Sequence, residues 1–328
     1  MHNKVKKWGA WACLSAGLAL GGLGLAQAAY PEKPVRVIVN YPAGGYLDVI
    51  ARLVLEHVSK EINQPVIIEN KPGAAGNIGA QYVSRQRPDG YQLLLSVDGL
   101  YTINPTIFSN LSYSPENDLV PITRFGSFNQ VLLVRENSGI TDLPSFVEKA
   151  KEQEMFYTSA GVGTPGHLAM EMFNQEGGLN IEHVPYLGNA PATQALLRGD
   201  VDVGFLVVGT TIQYVNSGDF VPLAVSGRSR DERMTAIPTV QETAIDGLDD
   251  FEVQFGHVLM APAGTDPDIL DFWSQAVQNS FANPEIRAQL DSFNLNPTVS
   301  SPAETKDFLA KEVSRWKPVL EKTEIKLN

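Results

Sequence analysis

The sequence predicts an α/β protein of two lobes, each built on a doubly wound sheet, with a ligand cleft between them. Three observations carry this. Apolar β-branched runs alternate with helical periodicity from residue 35 onward, the pattern of parallel strands joined by crossover helices. A strand, a small-residue loop and a helix start occur at residues 35–58 and recur at residues 155–176. The length of 328 residues is enough for two domains of the usual size, roughly 100–200 residues each.

The elements follow in order. Val35, Val37, Ile38 and Val39 suit a strand buried on both faces. Pro42, which has no amide to donate, stops it. Ala43, Gly44 and Gly45 let a ligand approach the backbone. The helix that follows carries Val49, Ile50, Leu53, Val54, His57 and Val58 at helical spacing. Residues 64–70 read as a second strand, 71–77 as a loop, and Ile78 to Gln86 as a helix capped by Asn77. Pro88-Asp89-Gly90 is a turn before a third strand, Tyr91 to Ser96. Leu119–Thr123 and Gln130–Val134 read as strands around Arg124–Asn129, where the first crossing between lobes is expected. Leu143 to Gln153 is a helix with Asp142 or Thr141 as cap and Pro144 in its first turn.

The opening design then returns as the strand 155–158, the loop 159–164, and a helix from Pro165 to about Gln175. A third unit comprises the strand 181–185, the loop 186–190 and a helix opened by Pro191. The strands 201–208 and 221–225 complete the second lobe. Glu252 to Met260 is the return crossing. Helices over 266–281, 282–293 and 302–320 follow, the last capped by Ser301, and pack back onto the first lobe. The expected division is 29–125 plus 255–328 for lobe 1 and 126–254 for lobe 2. No internal repeat or low-complexity tract is evident.

Residues 1–28 read as a secretory signal. Lys4, Lys6 and Lys7 precede the apolar stretch Trp8–Leu25, and Ala26-Gln27-Ala28 offers a cleavage point before Ala29. A retained anchor fits less well, because the small-residue site follows at once. Cys13, the single cysteine, lies inside this segment and is poorly placed for lipidation, so the mature chain is expected to hold no disulfide and no cysteine metal site. Losing those three lysines takes the formal charge from −12 to −15. Such a surface argues against nucleic acid and anionic lipid as partners. It leaves room for a small anion held by backbone amides, since exposed charges are screened.

Each lobe presents a helix amino end behind a small-residue loop, a ready site for an anion. Two such sites facing one cleft would suit a dicarboxylate, or a monocarboxylate with a polar tail. Ser159, Thr164, Asn77, Asn189 and Ser96 are the candidate side-chain donors, and each also reads as a cap or turn residue bonding its own backbone. Asp48, in the first turn of the first helix, suits dipole compensation or capping better than an anion contact. His167 reads either as a donor to a carboxylate or as a structural histidine. No Gly-x-Ser-x-Gly elbow, zinc spacing, P-loop or dinucleotide fingerprint is present, so a hydrolase is a weaker reading and no cofactor is expected.

These residues also carry a resemblance. Tyr30-Pro31-Glu32-Lys33-Pro34-Val35-Arg36, Pro42-Ala43-Gly44-Gly45 with Asp48, and residues 69–79 (Glu69-Asn70-Lys71-Pro72-Gly73 onward) belong to it. So do Pro88-Asp89-Gly90-Tyr91, Gly163-Thr164 with His167-Leu168, residues 183–191, residues 238–242 and Ala261-Pro262-Ala263-Gly264-Thr265. Across the whole mature chain the sequence resembles the Bug family of extracytoplasmic solute receptors, the binding proteins of tripartite tricarboxylate transporters. The resemblance implies a type II-like periplasmic binding protein, monomeric, without enzymatic activity, serving membrane permease subunits. A sensory module for a signalling partner is the alternative. It further implies a carboxylate held by residues 42–48, partly through ordered waters, and completed from 159–164 and 188–190. The expected ligand-binding set is Pro42, Ala43, Gly44, Gly45, Tyr46, Leu47, Asp48, Asn77, Ser96, Asp98, Ser159, Ala160, Gly161, Gly163, Thr164, His167, Asn189, Ala190 and Leu206. Where many members carry an acid after the strand at 201–205, this chain has Leu206-Val207-Val208. That disfavours an amino-acid ligand and favours a carboxylate with an apolar or aromatic body.

Overall fold

The computed structural model describes residues 30–293, 295–323 and 326–327. The leader expected over residues 1–28, with Cys13, lies outside these described residues. The chain opens with the alternation β1 (Val35–Val39), α1 (Tyr46–Glu61), β2 (Val66–Asn70), α2 (Asn77–Ser84) and β3 (Gln92–Val97). Three single-turn helices, α3 (Gly99–Thr102), α4 (Asn104–Ile107) and α5 (Pro115–Asp118), lead to the long strand β4 (Leu119–Phe128). The middle of the chain is β5 (Gln130–Arg135), α6 (Leu143–Glu152), β6 (Phe156–Ser159), α7 (Pro165–Glu176), β7 (Glu182–Pro185), α8 (Asn189–Arg198), β8 (Val203–Val207), α9 (Val208–Asn216) and β9 (Phe220–Val225). It returns through β10 (Phe255–Pro262), α10 (Pro267–Ala282), α11 (Pro284–Ser292), β11 (Asn296–Pro297) and α12 (Pro302–Thr323).

Two sheets result. The first has the order β11-β4-β10-β3-β1-β2 and the second β7-β6-β8-β5-β9. β1 is parallel to both β2 and β3, with Val37 opposite Ile68 and Leu93, as the strand–helix alternation demands. β10 runs antiparallel between β3 and β4. In the second sheet β6 is parallel to β7 and β8, while β5 runs antiparallel to β8 and β9. Central position explains β1's composition: Val35, Val37, Ile38 and Val39 are fully buried. α1 lays Ile50, Ala51, Val54, Leu55 and Val58 against this sheet, all likewise buried. Truncating Ile50 to Ala there would cost about 2–5 kcal/mol through the cavity left behind.

The strand expected to end at Thr123 runs on to Phe128, so the first crossing between sheets is a single residue, Asn129. Its continuation follows from its neighbour: β10 pairs with it out to Phe255 opposite Phe128. The return strand starts at Phe255 rather than Glu252, because Val253 still bonds the second lobe. Its amide donates to Ser226 O (2.8 Å), and its carbonyl accepts from Ser226 Oγ (2.6 Å). Gln254 Nε2 donates to Asn129 Oδ1 (3.1 Å), tying the two crossings together. One apolar cluster passes between the lobes by way of Phe128 and Phe255.

Caps fall where side chains can supply them. Asp142 accepts from Ser145 N, and Ser301 with Glu304 forms a reciprocal box at α12. Asn77 is the first residue of α2 rather than its cap; Gly76, in the left-handed region, precedes it. At the carboxyl end, Leu327 N donates to Ile107 O (2.6 Å) and Leu327 bridges to Phe108, so this segment lies on the first lobe.

Candidate ligand-binding site

The carboxyl ends of the parallel strands of both sheets open into one cleft, as expected for ligand loops in α/β sheets. The first lobe contributes the turn after β1, closed by Gly45 N to Pro42 O (3.1 Å). Gly44 has φ +74°, a conformation that favours glycine, and its amide donates to Asp48 Oδ2 (2.9 Å). Gly45 has no side chain with which to cap α1, whose first bond is Val49 N to Gly45 O. The amides of Tyr46, Leu47 and Asp48 therefore have no intrahelical acceptors.

The second lobe contributes the amino ends of α7 and α8. Thr164 precedes α7 but donates its hydroxyl to Gly161 O (2.6 Å) instead of capping. The carboxamide of Gln130, oriented by its neighbours, donates to Phe205 O and accepts from Gly166 N. At α8, Gly188 offers no cap and turns back through its amide to Ala160 O (3.1 Å), leaving the amides of Asn189 and Ala190 at the helix start. Between the lobes lies a narrow cavity of about 50 Å³. Pro42, Gly45, Gly166, Gly188, Asn189 and Gln130 bring backbone and amide groups to its lining, and Leu47, Val97, Phe128 and Val207 bring apolar side chains; Tyr41, Tyr46, Ala160, Pro165 and His257 complete it. None of its lining residues is Asp, Glu, Lys or Arg.

Of the residues expected at the site, Pro42, Gly45, Tyr46, Leu47, Ala160 and Asn189 line this cavity. Gly44 and Ala190 line the space on one side of it, and Gly161 and Thr164 the space on the other. Ala43 is exposed on the outside of its loop. Gly163 lies at the seam between lobes, where a β-carbon would sit 3.0 Å from the Ala75 methyl and 3.3 Å from Leu327.

The remaining expected residues do not line this cavity. Leu206 packs with Val131 and Val225 in the second lobe's own core, because side chains alternate along β8; its neighbour Val207 faces the cavity. Ser96 is fully buried and bonds Asn40 Nδ2 (2.8 Å) and Val97 O. Asn77 Oδ1 accepts from Tyr113 OH (2.8 Å) and Asn104 Nδ2 (3.0 Å). Asp98 accepts from Gly256 N (2.8 Å) beneath the return strand. Burial pushes its pKa up to about 7, against the opposing pull of that bond and of Arg124.

Asp48 is claimed by Gly44 N, Arg52 and Asn70 Nδ2, and so organises the loop from behind. Burial alone would raise its pKa, but these hydrogen bonds prevail and hold the carboxyl below its usual range. Ser159 and His167 support the second loop: Ser159 Oγ contacts His183 Nε2 (2.7 Å), and His167 Nδ1 accepts from Gly163 N (3.1 Å). The rings of Tyr157 and His167 both pack against His183, with centroids 4.7 and 4.3 Å away. Burial lowers the pKa of His167 to about 3 and of His183 to about 4, keeping both neutral.

Sequence reasoning missed Gln130, Phe128 and His257. The available signal was a polar or aromatic residue at each lobe crossing, where both ends of a cleft must meet. Among the described residues no cluster of three or more His, Cys, Asp or Glu side chains could hold a metal.

Comparison with known proteins settles the family. The model of the tripartite tricarboxylate transporter family receptor matches residues 50–325. The chain belongs to that family. Among its relatives, the protein BugT of Bordetella pertussis is 29% identical over 301 residues, covering 91% of each chain. An R. palustris protein solved with adipate superposes with a TM-score of 0.84 at 26% identity, covering 90% of this chain and 98% of its own. MatC from Rhodopseudomonas palustris, solved with bound malate, gives 0.81 at 26% identity, covering 89% and 100%. The two-lobed receptor fold and the Bug-type relationship thus agree with the resemblance read from the sequence.

Proposed function

We propose that this receptor captures a small carboxylate in the periplasm and delivers it to the membrane subunits of a tripartite tricarboxylate-type transporter. The observation that carries the reading is a cavity between two lobes, faced by helix amino ends from both and lined by no charged side chain. Each helix end favours an anion by roughly 0.3–2 kcal/mol, so several must act together, which requires the lobes to close. Relatives solved with adipate and with malate support the carboxylate class. The two strand crossings at Asn129 and Gln254 are the place for the hinge, and closure is what a membrane partner would read. The Ser159–His183 contact belongs to the loop support rather than to chemistry, since Ser159 is fully buried.

A thermal-shift screen against carboxylates tests this. A ligand at about 100 times its Kd adds about 2.7 kcal/mol of stability. Gly45→Asp, which places a carboxylate at the amino end of α1, should abolish the shifts while leaving the unliganded fold intact. Normal binding by that variant would remove this loop from the site, and chemical turnover of a bound carboxylate would point to an enzyme.

A further inference from the structure

The cavity has one wall that the helix ends do not explain. His257, on β10, is fully buried, borders the cavity, and neither of its ring nitrogens has a hydrogen-bond partner in the protein. The Tyr46 hydroxyl is likewise without a partner. The His257 ring is held 5.0 Å from Phe128 and 5.4 Å from Tyr46, centroid to centroid. The ladder between β10 and β4 shifts register between His257 and Val258, leaving Phe125 of β4 as the extra residue beside His257. Val97 and Val207 flank this wall. Buried polar groups in native proteins are normally satisfied, so an unpartnered imidazole bordering a cavity marks a place for a ligand group.

Resting on the carboxylate-receptor reading, we propose that His257 receives the uncharged far end of the ligand: a single carboxylate sits at the helix ends, and a hydroxyl, carbonyl or ring nitrogen on a compact apolar or aromatic body meets the imidazole. A neutral imidazole has one donor and one acceptor nitrogen, which matches a hydroxyl on either side. Burial keeps this ring neutral, lowering its pKa to about 3. A second carboxylate placed here would leave water for a wall of Phe128, Val97 and Val207 with no cation among the lining residues.

The test is calorimetric titration of the purified protein with 4-hydroxybenzoate, benzoate, terephthalate, adipate and malate. 4-Hydroxybenzoate should bind at least tenfold more tightly than terephthalate, adipate or malate. His257→Leu should weaken 4-hydroxybenzoate at least tenfold and benzoate less than threefold. Tighter binding of any of the three dicarboxylates overturns the proposal while leaving a carboxylate receptor in place. Equal losses for both monocarboxylates, or no loss, remove His257 from the contact. If none of the five binds, the carboxylate reading itself fails. The wild-type ranking decides the matter even if the Leu variant does not fold.

Discussion

Asp48 shows how a residue can shape, from behind, the loop proposed to hold the anion. Its two oxygens hold Gly44 N, Asn70 Nδ2 and the Arg52 guanidinium, and Asn70 in turn donates to Tyr41 O. Arg52 is half exposed, so the ion pair itself contributes little. The buried loop contacts matter more. Asp48→Ala should cost about 1–3 kcal/mol, the usual penalty for stranding a buried donor, and should weaken ligand binding because the Gly44 turn loses its tether. Urea unfolding checks the first effect and calorimetry the second; unchanged binding would mean that the turn holds its shape unaided. Because the folded pKa lies below the unfolded value, this contribution is present above about pH 4 and is lost as pH falls further.

Elements were more legible in the sequence than side-chain roles. Periodicity located α1, α7 and the parallel strands, because burial on a sheet imposes it directly. The glycine loops were visible because backbone approach needs small residues. What Ser96, Asn77 and Asp98 bond to depends on elements far along the chain, Asn40, Tyr113 and Gly256 respectively, and no local pattern encodes that. Leu206 was misplaced by one residue, which on a strand is a change of face. The seam between lobes was equally hidden. At the start of α9, a β-carbon on Gly209 would lie 2.0 Å from Phe293 O and 2.9 Å from the Tyr46 ring, both on the other lobe. Gly209→Ala should therefore oppose closure, lowering ligand affinity at least tenfold. Alanine is the better helix former, so in an open form, with the lobes apart, the substitution should not destabilise α9. Calorimetry beside a melting curve separates the two; unaltered affinity would show that the lobes meet elsewhere.

At the scale of the whole molecule, buried titratable groups set the response to pH. His167, His183 and His257 are held neutral, with pKa values of about 3, 4 and 3. Unfolded histidines take up protons near pH 6.5, so these three withdraw stability as pH falls from about 6.5 toward 4. Asp98 acts in the opposite sense. Its pKa of about 7 lies above the unfolded value, so it adds stability as pH falls from about 7 toward 4. Three groups outweigh one, and the urea midpoint should fall between pH 7.5 and pH 5. Asp98→Asn, which removes the counterweight, should steepen that fall. A midpoint that rises on acidification would contradict the neutral histidines.

Leu327 is anchored to Ile107 and Phe108 of one lobe yet sits beside Gly163 of the other. The sequence has one cysteine, Cys13, within the stretch read as a leader. A thiol-reactive dye on Leu327→Cys would ride on the first lobe while its surroundings are supplied by the second, making this position a natural place from which to watch a solute being trapped and released.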